Sequence, residues 1–342
     1  MKAKAIILLT MHAFQRMLGK GSPSIKLNAL QIEKRDEVAM KVASGAYGFE
    51  EVACLNCGGA DAEVIAERDR YGLFFSVKLC KSCGLAYTSP RMDGRAYGQF
   101  YDDEYRPLYV GAERAGDAFY IEQKRQGQRI IHYLKEQNIS LDKPMKVLEV
   151  GCGAGGILAV FKEMGHQILG LDLGSEYVNY GRGKYGLDLR VSYLSDLDSE
   201  FKPDLIIYSH VMEHILNPME EMREIFNRCD RNTLVYIEVP GLKNIHRAYQ
   251  MDVMKYYQNA HAVHFTLSSL MAMMNKCGFG LIAGDEYVHA VFRVNSETIA
   301  FENEYDSTRS YLLKTEKNRW KYPFSLRAMK GEVKRWLRKL RG

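Results

Sequence analysis

The stretch KVLEVGCGAGG, residues 146–156, decides the fold of this 342-residue chain. The apolar run KVLEV predicts a buried strand, and the glycines after it satisfy the pattern G-x-G-x-x-G. Glycines at these positions let the backbone turn tightly from a strand into a helix and come close to a ligand. The stretch therefore predicts a nucleotide-binding turn, and the open question is whether the bound nucleotide carries phosphates.

Strand-like and helix-like segments alternate after this turn. Such alternation predicts a parallel sheet covered by helices on both faces, so the predicted fold class is α/β. The end of the region differs, because the strand-like runs FGLIAG (279–284) and EYVHAVFRV (286–294) follow each other almost directly. A crossover helix does not fit between them, so we expect these two runs to pair antiparallel.

Two acidic residues near the glycines discriminate between nucleotides. Asp172 ends the second predicted strand, 21 residues after Gly151, where an acid accepts hydrogen bonds from ribose hydroxyls. Glu149 ends the first strand, where its carboxylate would repel a pyrophosphate such as that of NAD. S-adenosylmethionine has no phosphate and carries a positive ammonium and sulfonium. Unless Glu149 is a surface residue at a strand end, the pair favours a methyl-donor site.

The motifs VLEVGCGAGG, GLDLG, DLIIYSHVMEHILNP and LVYIEVPG resemble, in order, those of class I S-adenosylmethionine-dependent methyltransferases. The resemblance covers about residues 146–295 and implies a Rossmann-like seven-stranded sheet with an antiparallel terminal hairpin. It also implies which residues contact the donor. Asp172 is implied at the ribose, Leu173 at the adenine, and Asp196 with Leu197 at the adenine edge, where Asp198 is an alternative to Asp196. The residues implied at the methionine end are Glu149, Gly151, Gly153, Gly155, Ser209 and His210.

Two C-x-x-C pairs precede this region, Cys54 with Cys57 and Cys80 with Cys83. Each pair brings two thiolates to one ion, so the spacing C-x2-C-x22-C-x2-C predicts a structural zinc site with four cysteine ligands. A redox function, the alternative, needs only one C-x-x-C. Residues 51–95 carry six cationic and six acidic side chains, which makes nucleic acid an unfavoured partner.

The arrangement of paired cysteines followed by such a domain resembles that of enzymes of bacterial surface-polysaccharide synthesis and of deoxysugar C-methyltransferases. The resemblance implies a sugar or glycan acceptor, covered by the zinc module, with Tyr87 as a loose match to a tyrosine that the module supplies. The alternatives are a ribosomal-RNA methyltransferase, a quinone-type methyltransferase, and a non-catalytic binding protein on the same fold.

Methyl transfer to a sugar hydroxyl, or to a carbon beside a keto group, requires a base, for which histidine is suited near neutral pH. His261 and His264 lie in a loop expected at the carboxyl ends of the strands, where ligands bind. That loop resembles the one that carries a catalytic histidine in sugar methyltransferases, with His261 as the closest match. His214, in HVMEH, is the third candidate.

Two further side-chain groups have both a functional and a structural interpretation. His210, Glu213 and His214 share one face of a short helix, which fits either a divalent-metal site or a supporting role in the core. Arg106, beside Tyr105, is expected to hold an acceptor phosphate or the carboxylate of the donor, unless it is simply solvated.

The net charge of +5 is concentrated in residues 325–342, which carry seven Lys or Arg against one acid. This tail predicts a basic amphipathic helix that lies on an anionic membrane surface or docks on a protein. Unpaired cysteines and the lack of a long apolar run favour a cytoplasmic protein, with peripheral membrane contact as an option. The predicted regions are an N-terminal helical extension (1–50), a zinc-binding module (51–92), a helical bridge (93–145), a methyltransferase domain (146–295) and a C-terminal extension (296–342).

Overall fold

A computed structural model describes residues 14–111, 116–295 and 297–325. The predicted basic tail helix and the start of the N-terminal extension therefore lie outside the described residues. The strands are β1 (Phe49–Glu50), β2 (Ala62–Arg68), β3 (Phe74–Cys80), β4 (Ala86–Thr88), β5 (Arg91–Met92), β6 (Lys146–Val150), β7 (Gln167–Asp172), β8 (Leu189–Val191), β9 (Leu205–Ser209), β10 (Leu234–Glu238), β11 (Val263–His264), β12 (Phe279–Gly284) and β13 (His289–Val294).

The helices flank these strands on both sides. They are α1 (Ala29–Ala43), α2 (Gly94–Phe100), α3 (Arg106–Val110), α4 (Asp117–Glu136), α5 (Gly156–Glu163), α6 (Ser175–Tyr185), α7 (Pro218–Arg228), α8 (Ile245–Ala248), α9 (Val253–Tyr256), α10 (Leu267–Lys276) and α11 (Tyr305–Asn318). None of the helices in the described ranges is both long and apolar enough to cross a membrane.

The central sheet has seven strands in the order β12-β13-β10-β9-β6-β7-β8. The five strands from β6 to β10 run parallel, whereas β13 is antiparallel to both β10 and β12. Runs such as LIIYS in β9 and LVYIE in β10 are apolar almost throughout because helices cover both faces of the sheet. The predicted fold class, including the antiparallel terminal hairpin, is confirmed.

Helix α4 packs closely against α5, the helix that follows the glycine turn. A Cβ atom at Gly156 would lie 2.5 Å from the carbonyl oxygen of Tyr120, and one at Gly127 would lie 2.9 Å from that of Ile157. Only glycine permits the two helices to come this close. The second half of the predicted bridge is therefore part of the layer of helices on the central sheet.

A second sheet, in the order β11-β4-β3-β2, carries the paired cysteines. Its strand β11 comes from residues 263–264, inside the predicted methyltransferase domain, and pairs antiparallel with β4. Helix α11 also packs on this sheet, where the Arg309 guanidinium lies 2.7 Å from a carboxylate oxygen of Glu63. The cysteine region is thus joined to the rest of the chain through a shared sheet.

The segment 94–110 forms α2, a π-helical turn at Tyr101–Tyr105, and α3. Helix α1 and the connection after it hold the segment in place: the Gln31 amide of α1 donates to the carbonyl of Leu108 at 2.9 Å, and the Tyr47 hydroxyl donates to the buried Glu104 at 2.5 Å. The segment covers the carboxyl ends of the central strands, which places it over the functional site described next.

Candidate active site

A cavity of about 980 Å³ lies at the carboxyl ends of β6, β7 and β9. This is where open α/β sheets bind ligands. Its walls come from the glycine turn, from the ends of these strands, from residues 258–261 and from the segment 94–110. The volume is at the upper end of the ~300–1,000 Å³ found for ligand pockets, so it has room for a nucleoside together with a second small molecule.

The glycine turn forms the floor of the cavity. Gly151 and Gly153 both line it, with φ angles of +74° and +54° that side-chain-bearing residues rarely adopt. A Cβ at Gly151 would lie 2.4 Å from a methyl group of Val211. Gly155 precedes the first residue of α5 and lies close to Leu187 and Leu189, outside the cavity lining. The resemblance placed it at the methionine end, whereas the structure gives it a packing role.

Glu149 is a buried acid at the cavity wall. Its side chain is 1% exposed, and one carboxylate oxygen has no hydrogen-bond partner among the described residues. Burial, reinforced by the negative charge of Asp172, raises the pKa of Glu149 well above its ordinary value. A buried carboxylate oxygen without a partner is costly unless a ligand completes its interactions, and a cation does this best.

Asp172 is held rigidly at the end of β7. One carboxylate oxygen accepts the Gly153 N–H at 2.8 Å, and the other accepts the Gly174 N–H at 2.7 Å. A guanidinium nitrogen of Arg106 lies 3.9 Å away. Leu173, with 53% of its surface exposed, continues the same wall. These residues suit a ribose and an adjoining flat base, as the resemblance implies.

Asp196 and Leu197 do not line the cavity, so the structure does not support their predicted position at the adenine edge. Asp196 is exposed and accepts the Tyr193 N–H at 3.0 Å within its own turn, while Leu197 packs in the core. Residues 192–195 line the cavity in their place. The rival, Asp198, is also exposed and accepts the backbone N–H of Glu200.

Ser209 ends β9 and His210 follows it, and both line the cavity. His210 has a φ angle of +56° and lies between two buried carboxylates, 3.5 Å from Glu213 and 3.6 Å from Glu238. Burial opposes its charged form, but the two carboxylates outweigh burial and raise the pKa of His210 well above its ordinary value. The two carboxylates therefore favour the protonated form of His210.

His214 is the histidine best arranged to accept a proton. Its Nδ1 lies 2.9 Å from the carbonyl oxygen of Ala260 and 2.6 Å from the Tyr101 hydroxyl. Because a carbonyl only accepts, this contact assigns the proton to Nδ1 and leaves the lone pair of the neutral ring on Nε2. Burial lowers the pKa of His214, which keeps it neutral near pH 7.

His261 lies against His214 on the cavity wall, with ring centroids 4.8 Å apart. Its Nε2 is in close contact with the side-chain amide of Gln258, which occupies the lone pair a base would need. Burial, with the charge of neighbouring histidines, lowers its pKa well below the ordinary value. His261 is therefore less available as a base than His214. The side chains of Glu213, His214 and His261 nevertheless offer metal-ligand atoms within 4.8 Å of one another.

His264 does not reach the cavity. Strand β11 places it in the core behind His261, against Phe75, Tyr256 and Tyr257. Burial lowers its pKa to about 3. The structure thus removes His264 from the set of candidate bases, because the loop turns between positions 261 and 264 and the two side chains enter different environments.

A row of tyrosines from the segment 94–110 forms the wall opposite the glycine turn. Tyr97, Tyr101, Tyr105 and Tyr109 all line the cavity. Tyr105 and Tyr109 stack with ring centroids 5.7 Å apart, and the Tyr97 hydroxyl lies 2.6 Å from the backbone oxygen of His214. The regular spacing of four residues between these tyrosines was the signal available in the sequence. Tyr87, the residue singled out from the sequence, is buried in the core instead.

The four paired cysteines converge at one end of the second sheet. The sulfur atoms of Cys54 and Cys83 are 3.5 Å apart, as are those of Cys57 and Cys80, and all four lie within 4.8 Å of one another. Zn–S bonds of ~2.3 Å in a tetrahedron require S–S separations of ~3.8 Å, so this donor set fits zinc. The backbone N–H of Gly58 and of Gly84 closes each pair into a tight turn.

Comparisons with known proteins agree with this geometry. The family described as "Methyltransferase domain" matches residues 120–283, which include α4. A ubiquinone biosynthesis O-methyltransferase of Bradyrhizobium sp. (strain ORS 278) is 25% identical over 76 residues, 21% of this chain and 30% of that protein. The chain thus matches less than a third of the length of the first two curated relatives.

Two solved structures are similar over most of their own length. One is the plantazolicin methyltransferase in complex with S-adenosylhomocysteine, with 15% identity and a TM-score of 0.47 over 59% of this chain and 95% of the other. The second is the 1,6-didemethyltoxoflavin-N1-methyltransferase of Burkholderia thailandensis, with 17% identity and a TM-score of 0.42 over 62% and 96%. From the seven-stranded sheet, its glycine turn and the family match, we conclude that this chain carries a class I S-adenosylmethionine-dependent methyltransferase domain.

Proposed function

We propose that this protein transfers a methyl group from S-adenosylmethionine to a sugar or glycan acceptor, in surface-polysaccharide synthesis. The observation that carries the donor assignment is Glu149, a buried carboxyl group with a partnerless oxygen at the cavity wall. It suits the α-ammonium of the donor, while Asp172 suits the ribose hydroxyls and Leu173 the adenine. The donor, when bound, supplies an electrophilic methyl group.

The residues around the acceptor position align the acceptor with the donor, exclude water and provide a base. The stacked tyrosines cover the cavity and exclude water, so that acceptor and donor meet in a fixed geometry. Nε2 of His214 is the base in this proposal, and it takes the proton that the acceptor atom loses. The Ala260 carbonyl, which can only accept, favours the tautomer with the proton on Nδ1 that this step needs.

The cysteine cluster is proposed to hold a structural zinc ion. Four thiolates leave no open coordination position, so zinc would act on the fold and not on the acceptor. Its effect on the site is indirect, because the cysteine-bearing sheet includes β11 and thereby fixes the loop that carries Gln258 and His261.

A transfer assay with radiolabelled S-adenosylmethionine tests this proposal. Nucleotide-sugars and lipid-linked oligosaccharides are the acceptors expected to be methylated, and a demethylated quinone precursor and RNA serve as competing candidates. The quinone is the second candidate because the curated relatives act in ubiquinone biosynthesis and stacked tyrosines suit a flat ring. Calorimetry that detects no binding of S-adenosylhomocysteine would exclude the enzyme altogether.

A further inference from the structure

Arg70 brings a positive charge to the end of the cavity away from the donor. It lies in the turn between β2 and β3 of the cysteine-bearing sheet and lines the cavity beside Tyr109 and Gln258. The guanidinium stacks 5.1 Å from the ring centroid of Tyr71 and 5.7 Å from that of Tyr109. Two aromatic rings therefore hold it in one orientation.

Arg70 forms no ion pair with a carboxylate of the described residues, and the neighbouring Asp69 interacts with it only through its charge. Within the described residues its side chain donates to the Tyr71 hydroxyl at 3.1 Å and to the side-chain oxygen of Gln258, while its buried Nε has no partner. The adjacent Asp69 is already committed to the backbone N–H groups of Tyr71, Leu73 and Asn259. A partly buried guanidinium that forms no ion pair has room for an anion, which would compensate the cost of its burial.

Charged side chains line the cavity at both ends. Glu149 and Asp172 lie at the donor end, where Arg106 is 3.9 Å from Asp172, whereas Arg70 is joined to His261 through Gln258. Gln258 connects Arg70 to His261, because its side-chain oxygen accepts a hydrogen bond from Arg70 and its amide nitrogen contacts His261. An anion bound at Arg70 would therefore place the acceptor close to His214 and His261, with only the side chain of Gln258 between Arg70 and His261.

We propose that Arg70 binds an anionic group of the acceptor, either a phosphate or a carboxylate. The planar guanidinium fork matches both groups in a bidentate arrangement, and its pre-stacked position reduces the entropy lost on binding. This inference rests on the proposed function and narrows it: the acceptor is a phosphorylated or acidic sugar and not a neutral one.

Calorimetric titration with three sugars tests the proposal. UDP-glucose represents a diphosphate, glucuronic acid a carboxylate and glucose a neutral sugar, each titrated with and without saturating S-adenosylhomocysteine. At least one anionic sugar should bind on the order of 10- to 100-fold more tightly than glucose, and which one binds identifies the source of the anion. Arg70→Gln should abolish this advantage and Arg70→Lys should retain part of it.

Arg95→Gln is the matched control, because it removes the same charge from the solvent-exposed side of α2 and should leave all three affinities unchanged. Unchanged S-adenosylhomocysteine affinity in Arg70→Gln shows that the variant is folded. If that variant does not fold, added salt should weaken the anionic sugars and not glucose in the unsubstituted protein. Anionic sugars that bind no better than glucose, or equally well to Arg70→Gln, would overturn the inference. Lack of S-adenosylhomocysteine binding would instead overturn the proposed function.

Discussion

Binding of the methyl donor is expected to release a proton from Glu149. In the free protein, burial and the charge of Asp172 raise the pKa of this carboxyl group well above its ordinary value, so the group retains its proton at mildly acidic pH. The α-ammonium of the donor interacts favourably only with the carboxylate. Binding therefore lowers the pKa of Glu149 and expels the proton.

The size of the effect follows from linkage. Below the pKa of the free protein, each pH unit changes the affinity by about tenfold, or ~1.4 kcal/mol, for one proton released. The sign is fixed by which form binds: the carboxylate binds, so affinity rises as the pH rises and levels off above the free-state pKa. The slope of log Kd against pH should approach −1 at its steepest.

Calorimetry with S-adenosylhomocysteine measures this directly. Titrations from about pH 5.5 to 7 stay below the ~7.7 pKa of a free α-amino group, so that the ligand itself does not titrate. Repeating them in buffers with different enthalpies of ionisation counts the protons released. Glu149→Gln should flatten the pH dependence and weaken binding, while Glu163→Gln, an exposed acid outside the cavity, should behave like the unsubstituted protein. An affinity that does not vary with pH, or equal proton release in Glu149→Gln, would refute the reasoning.

Three further outcomes are expected. His214→Asn should lower kcat by ~10²–10⁴ without altering S-adenosylhomocysteine affinity, and, because burial lowers the pKa of His214, kcat should be level near neutral pH and fall only as acid protonates this base; normal turnover in the variant would exclude it as the base. A zinc chelator or the variant Cys57→Ser should lower the melting temperature by about 2–4 °C for each kcal/mol of stability lost, whereas the control variant Cys229→Ser should not. Metal analysis should find one zinc ion per chain. A metal-free protein of unchanged stability would contradict the zinc site. Gly156→Ala should cost ~1–3 kcal/mol in urea unfolding, since its Cβ would meet the Tyr120 carbonyl at 2.5 Å, whereas Gly183→Ala, with open space around it, should be neutral or stabilising; equal stabilities would show that α4 and α5 can separate freely.

The features predicted from sequence are those that local patterns encode. The parallel sheet follows from apolar runs that alternate with helical spacing, and the antiparallel hairpin follows from a connection too short for a crossover. The convergence of four cysteines follows from two C-x-x-C pairs. Each of these patterns is contained in a short stretch of chain, so tertiary contacts have little scope to change the outcome.

The features that sequence reasoning missed depend on contacts between distant segments. Strand β11 has two residues and no periodicity, so its pairing with β4 and the burial of His264 cannot be predicted from its own composition. Asp196 was expected to contact adenine because of its place in a motif, but its carboxylate caps its own turn at the Tyr193 N–H and is exposed. Arg70 acquires its position from aromatic rings that lie one residue and 39 residues along the chain. The tyrosine wall likewise required the placement of α1.

The two-residue pairing of β11 with β4 limits how this protein can be dissected or recombined. A fragment cut after residue 92 would lose a strand of its own sheet, and the remaining fragment would expose the backbone of residues 263–264. A chimera that imports another enzyme's cysteine region would need to import the matching strand from the far side of the chain. We therefore expect that acceptor preference can be exchanged between relatives only when the cysteine region and the segment that contains β11 are transferred together.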